Sequence, residues 1–315
     1  MSKKNLISPP WWLRNRHLQT CFAPILAPKL PELHWDEITT SDGDFLDICW
    51  AGEPESDTTL AILTGLEGSV SSHYVRSAIQ TALENNWQVV VLHYRSCSGR
   101  INRLPRSYHA ADTCDIKQFL SYVNYRRPDS RKLLLGFSLG GILTIKTLRQ
   151  LGCSFIEKAA VVSVPFDLKA SLQSTPSLYI KRFLYSMKKK LLAKKVAGQN
   201  IGLTEKAISR INSFQDFDTL ITAPTFGFNN ADHYYSVGTC KDDLQHVQTP
   251  LLVVNSEDDP LVPVESIPEA KEFATNTKVH ITMHGGHLGF IHKKDSAKFP
   301  DSDWISDTVV NFFNS

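Results

Sequence analysis

The sequence lacks a hydrophobic run of membrane-spanning length, a cysteine pair with redox or metal spacing, and a large net charge. No stretch approaches the ~18 consecutive apolar residues of a spanning helix, and no apolar segment of a signal peptide follows the basic N-terminus. None of the six cysteines forms a Cys-x-x-Cys pair or a zinc-like cluster with histidine. The net charge of +2 is too small to indicate a nucleic-acid partner. We therefore expect a cytoplasmic protein with reduced cysteines, no metal and no nucleic-acid partner.

Strand-like and helix-like segments alternate along the chain of 315 residues, 42% of which are hydrophobic. Asp42-Gly43 separates two strand-like segments and predicts a hairpin. The strand-like segments are 35–41, 44–50, 59–64, 88–93, 132–136, 159–163, 250–255 and 279–283. Because continuous apolar strands separated by helices are typical of parallel sheets covered on both faces, we predict an α/β fold with a mostly parallel, eight-stranded sheet flanked by helices.

The segment between the sixth and seventh predicted strands is much longer than a crossover between two strands requires. It has no strand pattern, and we interpret residues 169–245 as a helical lid inserted into the fold. Residues 35–168 and 246–315 then form the core, and residues 1–34 form an N-terminal arm that packs on this core.

One predicted helix of the insertion, residues 179–195, is amphipathic and strongly basic. Its apolar residues fall at helical spacing, and they are Ile180, Leu184, Met187 and Leu191. Its charged residues are all basic, and they are Lys181, Arg182, Lys188, Lys189, Lys190, Lys194 and Lys195. The basic face is either simply solvated or a peripheral contact with an anionic membrane.

The motif Gly136-Phe137-Ser138-Leu139-Gly140 lies between an apolar strand and a helix. This arrangement is typical of the nucleophile elbow of α/β-hydrolases, in which a sharp turn exposes the serine hydroxyl and requires small residues on either side. The amide of Leu139, at the start of the helix, is then a donor to the oxyanion of the reaction. The alternative is that Ser138 is only the N-cap of the helix.

A serine nucleophile needs a base and an acid, and in this fold the acid precedes the histidine in the chain. The seventh strand is followed by Glu257, Asp258 and Asp259. We favour Asp259 because Pro260 keeps the chain extended at the tip of the strand.

The last strand is followed by His284-Gly-Gly-His287. We favour His287 as the base because the glycine pair lets a loop bring its imidazole over the sheet, and we expect His284 to support that loop. The 28 residues that separate Asp259 from His287 predict one helix and one strand between them.

A second oxyanion donor is expected in the loop that follows the third strand, residues 64–69. The amide of Leu66, directly after Gly65, is the candidate. The alternative is a plain glycine turn at this position.

Taken together, these motifs resemble the YheT-like branch of the α/β-hydrolases, which is found in bacteria and has eukaryotic relatives. The matching segments are His17-Leu-Gln-Thr20, 65–69, 95–99, 102–104, Tyr108-His109, 136–141, 163–165, Phe217-Asp218, 232–235, 258–260 and 284–290. The resemblance implies that Ser138, Asp259 and His287 form the charge-relay set of an esterase- or lipase-like enzyme, and eukaryotic relatives act on acyl lipids. Two positions depart from the family pattern: Thr64 replaces a histidine, and Ser96 replaces a glycine.

The sequence thus predicts a serine hydrolase that cleaves carboxylic esters through an acyl-enzyme, as carboxylesterases and acylglycerol lipases do. We expect a small-molecule or lipid ester as substrate and no metal or organic cofactor. The alternatives are an acyltransferase that uses the same triad and a ligand-binding protein on a hydrolase scaffold without turnover. His17-Leu-Gln-Thr20 either packs the N-terminal arm on the core or lines the pocket. The sequence defines neither the acyl group nor the oligomeric state.

Overall fold

A computed structural model describes residues 7–152, 155–293 and 304–315. Its eight strands form one sheet, in the order β1-β2-β4-β3-β5-β6-β7-β8. The strands are β1 (His34–Thr39), β2 (Phe45–Ala51), β3 (Thr58–Leu63), β4 (Gln88–Leu92), β5 (Arg131–Phe137), β6 (Lys158–Val162), β7 (Leu251–Ser256) and β8 (Thr277–Thr282). β2 pairs antiparallel with β1 and β4, and the other neighbouring strands are parallel. The predicted mostly parallel, eight-stranded sheet is confirmed.

Helices cover both faces of this sheet. The helices are α1 (Arg16–Leu26), α2 (His73–Glu84), α3 (Thr113–Arg126), α4 (Leu139–Leu151), α5 (Leu168–Ser174), α6 (Ser177–Val196), α7 (Glu205–Arg210), α8 (Phe214–Phe217), α9 (Ala223–Phe226), α10 (Ala231–Gly238) and α11 (Trp304–Asn314). In β3, Leu60 and Ile62 pack towards α2 and α11, whereas Ala61 and Leu63 pack towards α3 and α4. This alternation follows from the two-residue period of a strand, and it explains why the strand is apolar throughout.

One predicted element is wrong. The connection from β7 to β8 contains no α-helix but two short 3-10 turns, Val264–Ser266 and Ala270–Glu272. Three prolines, Pro260, Pro263 and Pro268, interrupt this connection. Proline lacks a backbone donor and disfavours helical geometry in the preceding residue, so a regular helix cannot form here.

The insertion between β6 and β7 consists of α5 to α10 with short 3-10 and π-helical turns. Its own apolar cluster includes Leu184 and Leu191 of α6, together with Ile208, Phe214 and Phe217. The long helix α6 therefore has the apolar face that its sequence predicts. Within the described ranges, no helix is both long and apolar enough to cross a membrane.

Candidate active site

Ser138 occupies a sharp turn between the end of β5 and the start of α4. Its backbone has φ 52° and ψ −115°, a conformation that a residue with a side chain rarely adopts. A Cβ atom on Gly136 would overlap the side chain of Thr144 and the backbone of Gly140, and one on Gly140 would overlap the carbonyl of Leu63. The turn therefore requires glycine on both sides, for steric reasons.

The hydroxyl of Ser138 does not cap helix α4, although the residue stands at the N-cap position. Instead Oγ lies 3.0 Å from Nε2 of His287. On the other side of the imidazole, Nδ1 lies 2.9 Å from Oδ2 of Asp259. The structure thus brings Ser138, His287 and Asp259 together in one hydrogen-bonded chain, and all three side chains are buried.

Asp259 lies just beyond β7, and its carboxylate is held by the backbone that follows it. Oδ1 accepts hydrogen bonds from the amides of Leu261 at 2.8 Å and Val262 at 3.2 Å. These bonds orient the carboxylate, so that it in turn orients the imidazole of His287.

The neighbouring Asp258 has different partners. Its Oδ1 accepts a hydrogen bond from the amide of Gly286 at 2.9 Å, and its Oδ2 lies 3.4 Å from Nδ1 of His284. Asp258 and His284 therefore brace the loop that carries His287 and do not contact Ser138 themselves. The structure thus places Asp259, which the sequence favours, against His287, and Asp258 against Gly286 and His284.

The loop after β3 passes directly over Ser138. A Cβ atom on Gly65 would lie only 3.3 Å from Cβ of Ser138. On either side of Leu66, the amide of Gly65 donates to the hydroxyl of Tyr74 at 3.0 Å, and that of Glu67 donates to Tyr108 at 2.9 Å.

In the described part of the chain, the amides of Leu66 and Leu139 donate to no protein acceptor. A donor to the oxyanion must be free in this way before substrate binds.

Glu67 links this loop to helix α6. Its carboxylate pairs with Nζ of Lys190 at 2.9 Å and accepts hydrogen bonds from the hydroxyls of Ser186 and Tyr108. The backbone of Glu67 has φ 59°, a strained value for a residue with a side chain. Sequence reasoning did not identify this role, because Ser186 and Lys190 are more than a hundred residues away in the chain.

The N-terminal arm holds the loop of His287 from a third side. The fully buried amide of Gln19 bonds both the carbonyl and the amide of Ile291, at 3.1 and 2.7 Å. The hydroxyl of Thr20 accepts a hydrogen bond from the amide of His287 at 2.9 Å. His17, in turn, lies 3.0 Å from the hydroxyl of Tyr179 in α6. Of the two roles considered for this motif, packing of the arm on the core is the one these contacts support.

His73, at the start of α2, is a further residue that the sequence did not indicate. Its Nε2 donates to the carbonyl of Leu288 at 2.8 Å, next to His287. Burial lowers the pKa of His73 to about 4. The imidazole is therefore neutral at pH 7 and supports the loop without adding a positive charge beside His287.

The fold, with a serine, a histidine and an aspartate joined at the carboxyl ends of its strands, defines an α/β-hydrolase. Residues 99–289 match a sequence family described as "Serine aminopeptidase, S33". The YheT protein of Escherichia coli (strain K12) is 30% identical over 287 residues, which cover 88% of this chain and 84% of that protein. The protein named phospholipase ABHD3 of Mus musculus is 27% identical over 302 residues, which cover 90% of this chain and 72% of that protein.

Among solved structures, the Pyrococcus furiosus esterase Pf2001 has a similar fold, with a TM-score of 0.58 and 17% identity over 99% of this chain and 98% of that chain. The similarity to YheT and the family match together establish the relationship that the motifs suggested. The chain belongs to the YheT-like branch of the α/β-hydrolases.

The contact between Thr20 and His287 can be tested by substitution. We expect Thr20→Val to lower kcat by about 10- to 100-fold with little change in KM, because a loosened imidazole misplaces the predicted base without altering substrate contacts. Thr20→Ser keeps the acceptor oxygen and should restore kcat to near the wild-type value. Steady-state kinetics on a soluble ester would measure both. A Thr20→Val protein with wild-type kcat would show that the contact does not position His287.

The buried, neutral His73 predicts a loss of stability in acid. Between pH 6.5 and 4.5 the unfolded chain binds a proton at this residue while the folded protein does not, so the unfolding free energy falls as the pH is lowered. We expect wild type to lose about 2 to 3 kcal/mol more over this range than His73→Gln, which keeps a donor for Leu288 but does not titrate. Urea unfolding at several pH values measures the difference, and parallel pH curves for the two proteins would contradict it.

Proposed function

We propose that this protein cleaves carboxylic esters, with Ser138 as nucleophile, His287 as general base and Asp259 as the residue that orients His287. The observation that carries the proposal is the hydrogen-bonded chain from Ser138 through His287 to Asp259. Membership of the α/β-hydrolases supports it, because the relative YheT is named as an esterase.

In this mechanism Nε2 of His287 takes the proton of Ser138 as Oγ attacks the ester carbonyl. The amides of Leu66 and Leu139 donate hydrogen bonds to the oxyanion that develops on the carbonyl oxygen. His287 then gives the proton to the leaving alcohol, and an acyl-enzyme remains on Ser138. Water, deprotonated by His287, attacks this acyl group. As the bond between the acyl carbon and Oγ breaks, His287 gives the proton back to Ser138, and the carboxylic acid is released.

For the substrate class we propose lipid esters of the acylglycerol or phospholipid type. The side chain of Leu66, beside the proposed oxyanion site, packs against the apolar cluster of the insertion. An acyl chain bound along such a surface gains about 0.8 kcal/mol for each methylene that it buries. The name of the relative phospholipase ABHD3 supports a lipid substrate. With unpaired thiols at all five cysteines in the described residues, we further propose a reducing, cytoplasmic location; Cys153 lies outside these residues.

Paired substitutions at the adjacent aspartates test the assignment of the triad. We expect Ser138→Ala and Asp259→Asn each to lower kcat/KM by on the order of 10⁴-fold, since the first removes the nucleophile and the second the group that orients His287. Asp258→Asn is the matched control and should stay within about 10-fold of wild type, because its amide oxygen still accepts from Gly286. Equal losses in the two aspartate variants would contradict the assignment. Full activity of Ser138→Ala would exclude Ser138 as nucleophile.

A substrate panel tests the class of ester. We expect kcat/KM to rise at least about 10-fold from acetyl to long-chain acyl esters, and monoacylglycerols or phospholipids to be hydrolysed. An aminoacyl anilide serves as the amide control, because the matching family is described as an aminopeptidase. A preference for acetyl esters or for the anilide would overturn the lipid assignment.

Two further assays test the alternatives, which are an acyltransferase and a binding protein without turnover. An acyltransferase would yield a new ester in preference to free acid when an alcohol acceptor is added. A binding protein without turnover would not be labelled at Ser138 by a fluorophosphonate, whereas the proposed hydrolase would be.

A further inference from the structure

The outward face of α6 carries side chains that have no role in the proposed reaction. Its exposed large side chains are Leu178, Lys181, Arg182, Tyr185, Lys189, Leu192 and Val196. These positions follow one another at intervals of one, three or four residues and therefore lie on one face of the helix. This face, here called the outer stripe, runs along a helix of 20 residues, which is about 30 Å long.

The seven basic residues of α6 divide into two groups. Lys188, Lys190, Lys194 and Lys195 turn inward: Lys190 pairs with Glu67, and the others donate to backbone carbonyls of neighbouring segments. Lys181, Arg182 and Lys189 stay exposed, and in the part of the chain that the structure describes they form no ion pair. Because α6 contains no acidic residue, the outer stripe has a net positive charge.

The outer stripe also exposes apolar side chains that a solvated basic helix would not need. Leu178 is 68% exposed, Tyr185 72% and Val196 87%. Single exposed apolar residues are common on proteins, but here they alternate with basic residues along one helix face. Basic residues are attracted to anionic headgroups, and apolar side chains beside them can enter the membrane interface, where tyrosine places its hydroxyl at the headgroups.

We propose that the outer stripe of α6 docks on a bilayer that contains anionic phospholipid. The occupant follows from charge complementarity, since three basic residues face outward without an ion pair among the described residues, and α6 itself contains no acid. The opposite face of α6 contacts the loop of Leu66 through Glu67, and its first turn reaches the arm at His17. Docking would therefore place the loops of the proposed active site behind α6, about one helix diameter (~10 Å) from the lipid surface. This consequence rests on the proposed function, whereas the binding itself does not.

Binding is tested with the full chain carrying Ser138→Ala, so that the result does not depend on turnover. Flotation uses vesicles of phosphatidylcholine alone and of phosphatidylcholine with phosphatidylserine, at low and high salt. We expect binding to the anionic vesicles that weakens with salt, as for any surface charge attraction. Lys181→Glu with Lys189→Glu should weaken this binding at least about 30-fold, because each basic residue near the surface contributes about fivefold in affinity.

The matched control is Lys271→Glu with Lys278→Glu, which changes the charge equally at exposed positions outside the insertion. It should bind like the parent protein. Leu178→Ser with Tyr185→Ser leaves the charge unchanged and should also weaken binding, which separates insertion of apolar side chains from simple charge attraction. Circular dichroism and thermal unfolding establish that each variant is folded.

Several outcomes would overturn the proposal. These are no binding to the anionic vesicles, equal losses in the two charge-reversal variants, or a dimer in solution that Leu178→Ser with Tyr185→Ser converts to monomer while vesicles are not bound. In protein with Ser138 intact, the stripe variants should slow hydrolysis of a vesicle-embedded ester and leave that of a soluble short-chain ester unchanged. If neither ester is cleaved although vesicles are bound, the proposed function fails and the docking surface stands.

Discussion

The arrangement of the site depends on holding one imidazole in place on an irregular loop. His287 must lie within hydrogen-bond distance of both Ser138 and Asp259, yet it follows two glycines and precedes a third. The backbone from Gly286 to Ile291 is held by side chains from separate parts of the fold: Ser256, Asp258, Thr20, Ser163, His73 and Gln19. A helix is held rigid by its own backbone hydrogen bonds. This loop is held instead by hydrogen bonds to the six side chains named above.

The two regions outside the sheet reach the site from different directions and meet each other. The arm contacts the loop of His287, while α6 contacts the loop of Leu66. His17 and Tyr179 join them, with their rings stacked at a centroid separation of 5.9 Å. The basic residues of α6 that face inward have a structural role, because they bind carbonyl groups and Glu67. Lys194 is fully buried against three successive carbonyls, and burial lowers its pKa to about 8.

The parts of the fold that could be predicted were those encoded by local patterns. Apolar strands, the Asp42-Gly43 hairpin and the glycines around Ser138 each reflect a steric or hydrophobic demand that a few adjacent residues reveal. Contacts such as Glu67 with Lys190 could not be predicted, because they join residues that only the tertiary fold brings together. No α-helix forms between β7 and β8, although the number of residues there predicts one, because three prolines interrupt the connection.

Ser96, which stands where the family pattern has glycine, is a second feature that the sequence alone does not explain. Its backbone has φ 63°, a conformation that glycine, the usual residue of the family here, adopts without strain. The side chain of Asn102 accepts hydrogen bonds from the amide and the hydroxyl of Ser96. These hydrogen bonds offset the backbone strain at Ser96. No local sequence pattern predicts them.

The contact of Thr20 with His287 shows that the residues that hold the site extend beyond the sheet and its loops to the N-terminal arm. A shortened chain that began at the first strand would keep the whole sheet, all three members of the proposed triad and both proposed oxyanion donors. It would nevertheless lose the acceptor for the amide of His287 and the double hydrogen bond at Ile291. In engineering terms, helix α1 (Arg16–Leu26) belongs to the unit that holds His287 in place, and a truncation that spares the site has to leave it intact.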